Sequence, residues 1–413
     1  MMRDTKWITL AVLALGAAAC GGKDGESNAA DSVPSQQTLA LEITGGTDDV
    51  APAPQSVPAQ AAETVAATTG LPAVNDDLAE AQSKIRSVNS AIANIVTHVR
   101  GVALNNGVPA PGRGKLYGPA DRCTVDDVNP CPDGASATFL LWVGRSLIPG
   151  HGGEFVLLAK AVGAPDSAYK TVLAGWMRRS GDPGRGVGQI WINLENVRAA
   201  APQYPGQGYL YGGFAANDRG AKRLTYVLAG FTPDPEKWDA ASVALRGFRT
   251  AAGTARVRVA ALHDYLSGPN GDELGLFHVV YNPDIGGRAY GIVSNYLTGA
   301  TLHGDVPSGK YFLGRACYAA HAPTAPLYKE WFLCDLGTGP AACLSSGTPT
   351  PVVGTGSWDT NCLPAAAPAE SAPPEDGDLA AGALSQDPLP GEADTGIDAE
   401  PPPSDTDEPP AAP

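Results

Sequence analysis

The chain has 413 residues, which would allow two domains by length alone, but both of its ends are poor in core-forming residues. It contains 43 Asp and Glu against 28 Lys and Arg, and the whole excess lies after Lys329, because the first 329 residues carry 28 of each sign. A charge-balanced body gives no indication of nucleic-acid binding, so no nucleic acid is expected among the partners.

A short apolar run follows two basic residues near the N-terminus. Arg3 and Lys6 precede the uncharged residues 7–19, which end in small residues directly before Cys20. The run has the length of a signal-peptide core and is too short to cross a bilayer. With Cys20 at its end, it resembles the type II signal peptide of bacterial lipoproteins. An ordinary secretory signal cleaved after Ala19 is the alternative.

The resemblance implies that residues 1–19 are removed and that Cys20 carries fatty acyl chains, palmitate among them, which hold the protein on a membrane. Ala17 departs from the family, which usually has Leu there. Gly21 stands where the family's inner-membrane retention signal has Asp, so the resemblance implies the outer membrane. Residues 20–75 are then the lipid anchor and a flexible linker, because segment 21–74 lacks aromatic residues.

Six cysteines remain once Cys20 is set apart, an even number that is typical of disulfides in an exported protein. The short loop between Cys123 and Cys131 favours that pair, and the other four are expected to pair among themselves. No two cysteines lie two residues apart, which argues against a zinc site. The disulfide candidates are Cys123, Cys131, Cys317, Cys334, Cys343 and Cys362.

Apolar residues in the segment 76–104 recur every three or four positions, which predicts one long amphipathic helix. Asp76 and Asp77 supply capping and acidic first-turn residues. A coiled coil is the alternative, but a helix laid against a sheet is favoured, since no second helix of similar length follows. The residues expected to face the sheet are Leu78, Ile85, Val88, Ile92, Ile95 and Val99.

Between residues 136 and 336 the pattern changes to period two, with Gly, Pro, Asp and Asn turns every 10–15 residues. It predicts a mainly β domain, residues 76–363, built as an antiparallel meander of about twelve strands. Because one helix cannot cover so wide a flat sheet, the sheet is expected to be strongly curved or barrel-like, with the helix on its concave side. A transmembrane barrel is the alternative, but arginines interrupt several strands. The predicted strands are Thr138–Gly144, Glu154–Val162, Tyr169–Arg178, Gly188–Leu194, Gly208–Ala215, Lys222–Phe231, Ser242–Thr250, Ala255–Tyr265, Leu274–Asn282, Arg288–Tyr296, Tyr311–Tyr318 and Leu327–Asp335.

Residues 364–413 are rich in Pro, Ala and acidic residues and lack basic and aromatic ones, so a disordered tail is predicted there. Before it, Cys343 and Cys362 are expected to hold residues 337–363 to the sheet.

No catalytic motif is present, and none of the six histidines belongs to a zinc signature. His278 alternates with apolar residues and is predicted to be a core histidine. The acidic loop between Cys123 and Cys131 has the oxygen ligands that Ca²⁺ takes, although a polar turn is the simpler interpretation. No metal and no cofactor is therefore expected.

These features favour a lipid-anchored cell-envelope protein that binds or scaffolds without catalysis. Its expected partners are the membrane, an envelope protein, or an apolar ligand held between helix and sheet. A structural or adhesive surface module is the alternative, and a hydrolase with a non-standard site is a more remote one.

Overall fold

The computed structural model describes residues 70–74, 76–86, 114–122, 137–145, 153–178, 186–202, 206–217, 220–232, 241–298, 300–323 and 325–362. Fourteen strands form one antiparallel sheet in which every strand pairs with the next sheet strand along the chain, and β12 and β13 form a separate hairpin. The strands are β1 Gly114–Arg122, β2 Ala137–Arg145, β3 Gly153–Lys160, β4 Lys170–Arg178, β5 Gly186–Asn193, β6 Gln207–Ala216, β7 Lys222–Thr232, β8 Ala241–Arg249, β9 Ala255–His263, β10 Glu273–Asn282, β11 Gly286–Ser294, β12 Tyr296–Thr298, β13 Thr301–His303, β14 Lys310–Tyr318, β15 Tyr328–Asp335 and β16 Thr350–Val353.

The predicted mainly β, antiparallel meander is confirmed, and each of the twelve predicted strands overlaps a strand of the sheet. The two additional sheet strands, β1 and β16, lie at opposite ends of the strand order. Each contains a proline, Pro119 in β1 and Pro351 in β16. Proline lacks the N–H that a central strand must donate, so it is tolerated at such edges and weakens the strand signal in the sequence.

The prediction of a strongly curved or barrel-like sheet is wrong, because the sheet is open and not strongly curled. That prediction assumed a single helix as the only cover. Four α-helices are described instead, and they cover different parts of the sheet. They are α1 at 77–86, α2 Leu194–Ala200, α3 Pro340–Ser346 and α4 Trp358–Asn361.

The prediction of one long N-terminal helix on a concave side is also wrong, since α1 is short and lies on an open sheet. The Asp76 side chain caps it by accepting hydrogen bonds from the N–H groups of Leu78 and Ala79, at 3.1 and 3.0 Å. Leu78 and Ile85 are fully buried. The other predicted contact residues, Val88, Ile92, Ile95 and Val99, lie outside the described part of the chain.

One face of the sheet, which we call the front face, buries the largest hydrophobic cluster under α1 and α2. Aromatic rings on this face lie over glycines of the neighbouring strand. A Cβ atom at Gly212 would lie 1.9 Å from Cδ1 of Tyr226, and one at Gly314 would lie 2.7 Å from Cζ3 of Trp331. Each ring therefore occupies the space of the side chain that glycine lacks. The same arrangement recurs at Gly175 with Phe155 and at Gly188 with Phe214.

The opposite face, the back face, is covered near β14 and β15 by α3 and α4, which two disulfides hold in place. Cys334 bonds to Cys343 of α3, and Cys317 bonds to Cys362, which directly follows α4. The prediction that these four cysteines pair among themselves is confirmed. Cys123 and Cys131, like Cys20, lie outside the described residues. Among the described helices, none has both the length and the hydropathy needed to span a membrane.

Candidate functional site

The back face carries an unusual concentration of arginines in two neighbouring cross-strand rows. Side chains in register on antiparallel strands point to the same face, and successive residues of a strand alternate between faces. The first row consists of Arg246, Arg258, His278, Tyr290, Arg315 and Glu330. The second row consists of Arg223, Phe248, Arg256, Val280, Arg288, Cys317 and Tyr328.

We call the six arginines of these rows the arginine patch. It runs from β7 to β14, five strand spacings, which at about 4.8 Å each is about 24 Å. Within strands β7–β11, β14 and β15, the only carboxylate on the back face is Glu330 of β15. Arg246 and Arg258 stand directly opposite each other on β8 and β9, and Arg246 is buried.

Arg315 is held at one end of the patch by a buried carboxylate and two rings. Its Nε and Nη2 each lie 2.6 Å from Oε1 of Glu330, and Tyr328 donates from its hydroxyl to Oε2 of the same carboxylate at 2.7 Å. The guanidinium also lies over the rings of Trp358, at 4.4 Å, and Phe332, at 5.3 Å. These contacts fix α4 beside the patch, so Arg315 has a structural role.

His278 lies in the middle of the patch and is neutral. Burial and then the neighbouring Arg258 and Arg256 lower the pKa of His278 to about 3. A group with this pKa does not gain or lose a proton near neutral pH, so His278 is unsuited to general acid or base catalysis there. His278 was predicted to be a core histidine, but it is half-buried on the back face between Arg258 and Tyr290 and belongs to none of the hydrophobic clusters of the described residues.

A second charged cluster joins α1 to the front face. Nζ of Lys329 on β15 donates to Oδ1 of Asp77 at 2.7 Å and to the carbonyl oxygen of Val74 at 2.5 Å, and both charged side chains have no exposed surface. Burial raises the pKa of Asp77 and lowers the pKa of Lys329. The attraction between the two charges acts in the opposite direction on each pKa, but the effect of burial is larger. Gly291 makes room for the pair, since a Cβ there would lie 2.6 Å from Oδ1 of Asp77.

The Lys329–Asp77 pair has a structural role rather than a catalytic one. A lysine with a lowered pKa is a possible nucleophile, but a nucleophile must reach its substrate. Lys329 is fully buried, and its Nζ also lies 4.5 Å from the ring of Trp331. The pair therefore ties α1 to β15.

Glu273 is another carboxylate without exposed surface. Its Oε2 accepts from the N–H groups of Tyr265 and Leu266 at 2.7 and 3.1 Å, and its Oε1 accepts from Asp305 N–H at 2.7 Å. These bonds join the chain after β9 to the chain before β14. Glu273 is thus occupied by backbone groups.

The described residues contain no group of three or more His, Cys, Asp or Glu placed to hold a metal ion. The acidic loop between Cys123 and Cys131, the one candidate for Ca²⁺, lies outside those residues.

From the sequence alone, these arginines were recognised only as charged residues that interrupt the apolar pattern of several predicted strands. The usable signal was the alternation Arg256-Val257-Arg258 together with the short turns, because these fix the register between strands. Arg223 and Arg246 fall on the same face as this pair.

No known protein family, curated protein or solved structure matches the chain. A functional assignment therefore rests on the geometry of the arginine patch.

Proposed function

We propose that this chain is a lipid-anchored protein of the cell envelope, held at the outer membrane through Cys20, and that its sheet is a non-catalytic binding surface for an anionic partner. The proposal rests on one observation, which is that six arginines share the back face of the sheet in two neighbouring rows that run from β7 to β14. The signal-like segment 7–20 and the disulfides support an exported protein.

The chemistry of the patch favours a ligand with several phosphate or carboxylate groups. Guanidinium groups form paired hydrogen bonds with these anions, and such charge-assisted bonds are stronger than neutral ones. Neighbouring strands place arginines about 4.8 Å apart, and residues two apart on one strand lie about 6.6 Å apart. An array about 24 Å long exceeds the size of a single small anion. A multivalent ligand therefore fits better than an isolated ion.

An apolar ligand between helix and sheet gains no support from the described part of that interface. Leu78, Ala81 and Ile85 of α1 have no exposed surface, and the Lys329–Asp77 pair fills the space beside them. The binding function is accordingly assigned to the back face.

Binding of fluorescent inorganic polyphosphate to the full chain in detergent tests the proposal. We expect affinity that falls steeply with salt, and about a tenfold loss in Arg258→Gln, since a charge-assisted hydrogen bond contributes about 1.5–3 kcal/mol. Arg198→Gln on α2 is the matched control, because Arg198 lies outside the patch, is 43% exposed and forms an ion pair with Glu195 at 3.5 Å. Equal binding by the two variants would contradict a role for the patch, and salt-independent binding would contradict an ionic mode.

A further inference from the structure

We propose that the β12–β13 hairpin inserts its tip into a lipid bilayer and so holds one end of the sheet against the membrane. Insertion follows from the residues of the hairpin, whereas the nearness of a bilayer rests on the lipid anchor proposed at Cys20. Three observations support the insertion: the exposed leucines of the hairpin, its lack of charge, and its place beside the point where the chain from Cys20 joins the sheet.

The hairpin exposes a pair of leucines. Leu297 of β12 and Leu302 of β13 are directly opposite each other in the hairpin register, so their side chains point to the same side of it. They are 67% and 55% exposed, and Leu297 is the most exposed large apolar residue in the described part of the chain. Single exposed leucines are common on soluble proteins, but a cross-strand pair on a hairpin outside the main sheet forms a compact apolar surface.

The hairpin has no ionised side chain that would oppose its entry into the headgroup region. Residues 295–304 contain no Asp, Glu, Lys or Arg, and the two strands satisfy backbone groups by pairing with each other. The rings of Tyr296 and His303 stack with their centroids 5.0 Å apart, and tyrosine is typical of the bilayer interface. Strands of three residues extend about 10 Å, which matches the depth of about 5–10 Å that interfacial segments reach.

The hairpin lies at the end of the sheet where the N-terminal chain joins it. Strands β9 and β11 run in the same direction, because β10 lies antiparallel between them, and the hairpin directly follows β11. The N–H of Ala73 donates to the carbonyl oxygen of Tyr265, two residues after β9, at 2.7 Å. Glu273 accepts from the N–H groups of Tyr265 and of Asp305, which follows the hairpin, both at 2.7 Å. The chain that leads back to Cys20 therefore leaves the sheet beside the base of the hairpin.

This arrangement brings the hairpin to the bilayer at which Cys20 is anchored. Residues 20 and 70 are 50 positions apart, and a tether confines the hairpin near the surface at an effective concentration in the millimolar range. A small apolar tip is then sufficient for insertion. Leu336, which is 59% exposed, lies at the same end of the sheet, because its N–H donates to the carbonyl oxygen of Gly309 just before β14. It adds a further apolar side chain to the end that faces the membrane.

Hydrogen exchange on vesicles tests the insertion independently of lipidation. The chain from residue 20 onward, with Cys20→Ala and a histidine tag in front of it, is held on phosphatidylcholine vesicles that contain a nickel-chelating lipid. At 1 M salt, where the Debye length is about 3 Å, ionic attraction of the arginine patch to the vesicles is screened. We expect the backbone amides of residues 295–304 to exchange about tenfold more slowly on the vesicles than in solution.

Two double variants show whether the leucines cause this difference. Leu297→Asn with Leu302→Asn should abolish it. Leu116→Asn with Leu327→Asn is the matched control, because these leucines are 56% and 46% exposed and lie on β1 and just before β15, away from the hairpin. The control should keep the full difference.

Equal exchange on vesicles and in solution overturns the insertion, whether or not Cys20 carries acyl chains. The intact mass of the natural chain decides the question of acylation separately, so slower exchange together with an unmodified Cys20 would uphold the insertion and refute the proposed anchor. A slowing that increases with the density of protein on the vesicles would assign the leucines to a second copy of the chain, which also overturns the insertion.

Discussion

Replacing Lys329 by methionine is expected to destabilise the protein by about 3–5 kcal/mol, because it leaves the Asp77 carboxylate buried without its cation. Both side chains are fully excluded from solvent, and Nζ of Lys329 lies 2.7 Å from Oδ1 of Asp77. The substitution also removes the bond to the carbonyl oxygen of Val74. The free energy of unfolding is measured by equilibrium denaturation in urea.

Lys310→Met is the matched control. Lys310 forms an equally short pair with Asp335, at 2.6 Å, but the two side chains are 36% and 67% exposed. Exposed pairs contribute about 0–1 kcal/mol, so this variant should be almost as stable as the natural chain.

A double variant distinguishes the cost of leaving Asp77 buried without its cation from the cost of losing the ion pair itself. Asp77→Leu together with Lys329→Met removes both charges, and it should recover most of the stability, because apolar replacements of buried pairs are often neutral. If Lys329→Met costs no more than Lys310→Met, or if the double variant is less stable than Lys329→Met, the account of α1 attachment is refuted.

Two further predictions concern the packing of the front face and the charge of the back face. Gly212→Ala should lower the free energy of unfolding in urea by about 3 kcal/mol, because its Cβ would lie 2.6 Å from the backbone oxygen of Thr225 and would overlap the Tyr226 ring. Gly337→Ala is the control, and it should leave the free energy of unfolding almost unchanged, because no atom lies within 4 Å of its Cβ position. His278 should stabilise the fold above its unfolded pKa of about 6.5 and lose this contribution as pH falls toward about 3. Between pH 7.5 and 5 the natural chain should therefore lose up to about 2 kcal/mol more than His278→Gln, and equal losses would contradict a depressed pKa.

The strands could be predicted from sequence because their signals are local. Alternation and turn residues lie within each hairpin, and a meander connects strands in chain order, so neighbours in sequence are neighbours in the sheet. The shape of the sheet could not be predicted in this way. It depends on which surfaces cover each face, and the contact of Lys329 with Asp77 joins residues 252 positions apart, whose pairing no local pattern reveals.

The arginine patch could be predicted from the sequence only in part. Each arginine could be assigned to a strand, but its neighbours depend on register, and an error of one residue moves a side chain to the opposite face. The structure brings together Arg246 and Arg258, which are twelve positions apart in sequence and directly opposite in the sheet. A hypothesis of an anion-binding face therefore required the register of several consecutive hairpins at once.

Charged side chains are arranged differently on the two faces of the sheet, and this difference is the main reason for assigning function to the back face. On the front face, Lys329 and Asp77 are buried with each other, so their charges are permanently balanced within the folded domain. On the back face, Arg246 and Arg258 stand directly opposite each other, and the six arginines extend across the strands from β7 to β14, so a ligand with several anionic groups could contact more than one of them.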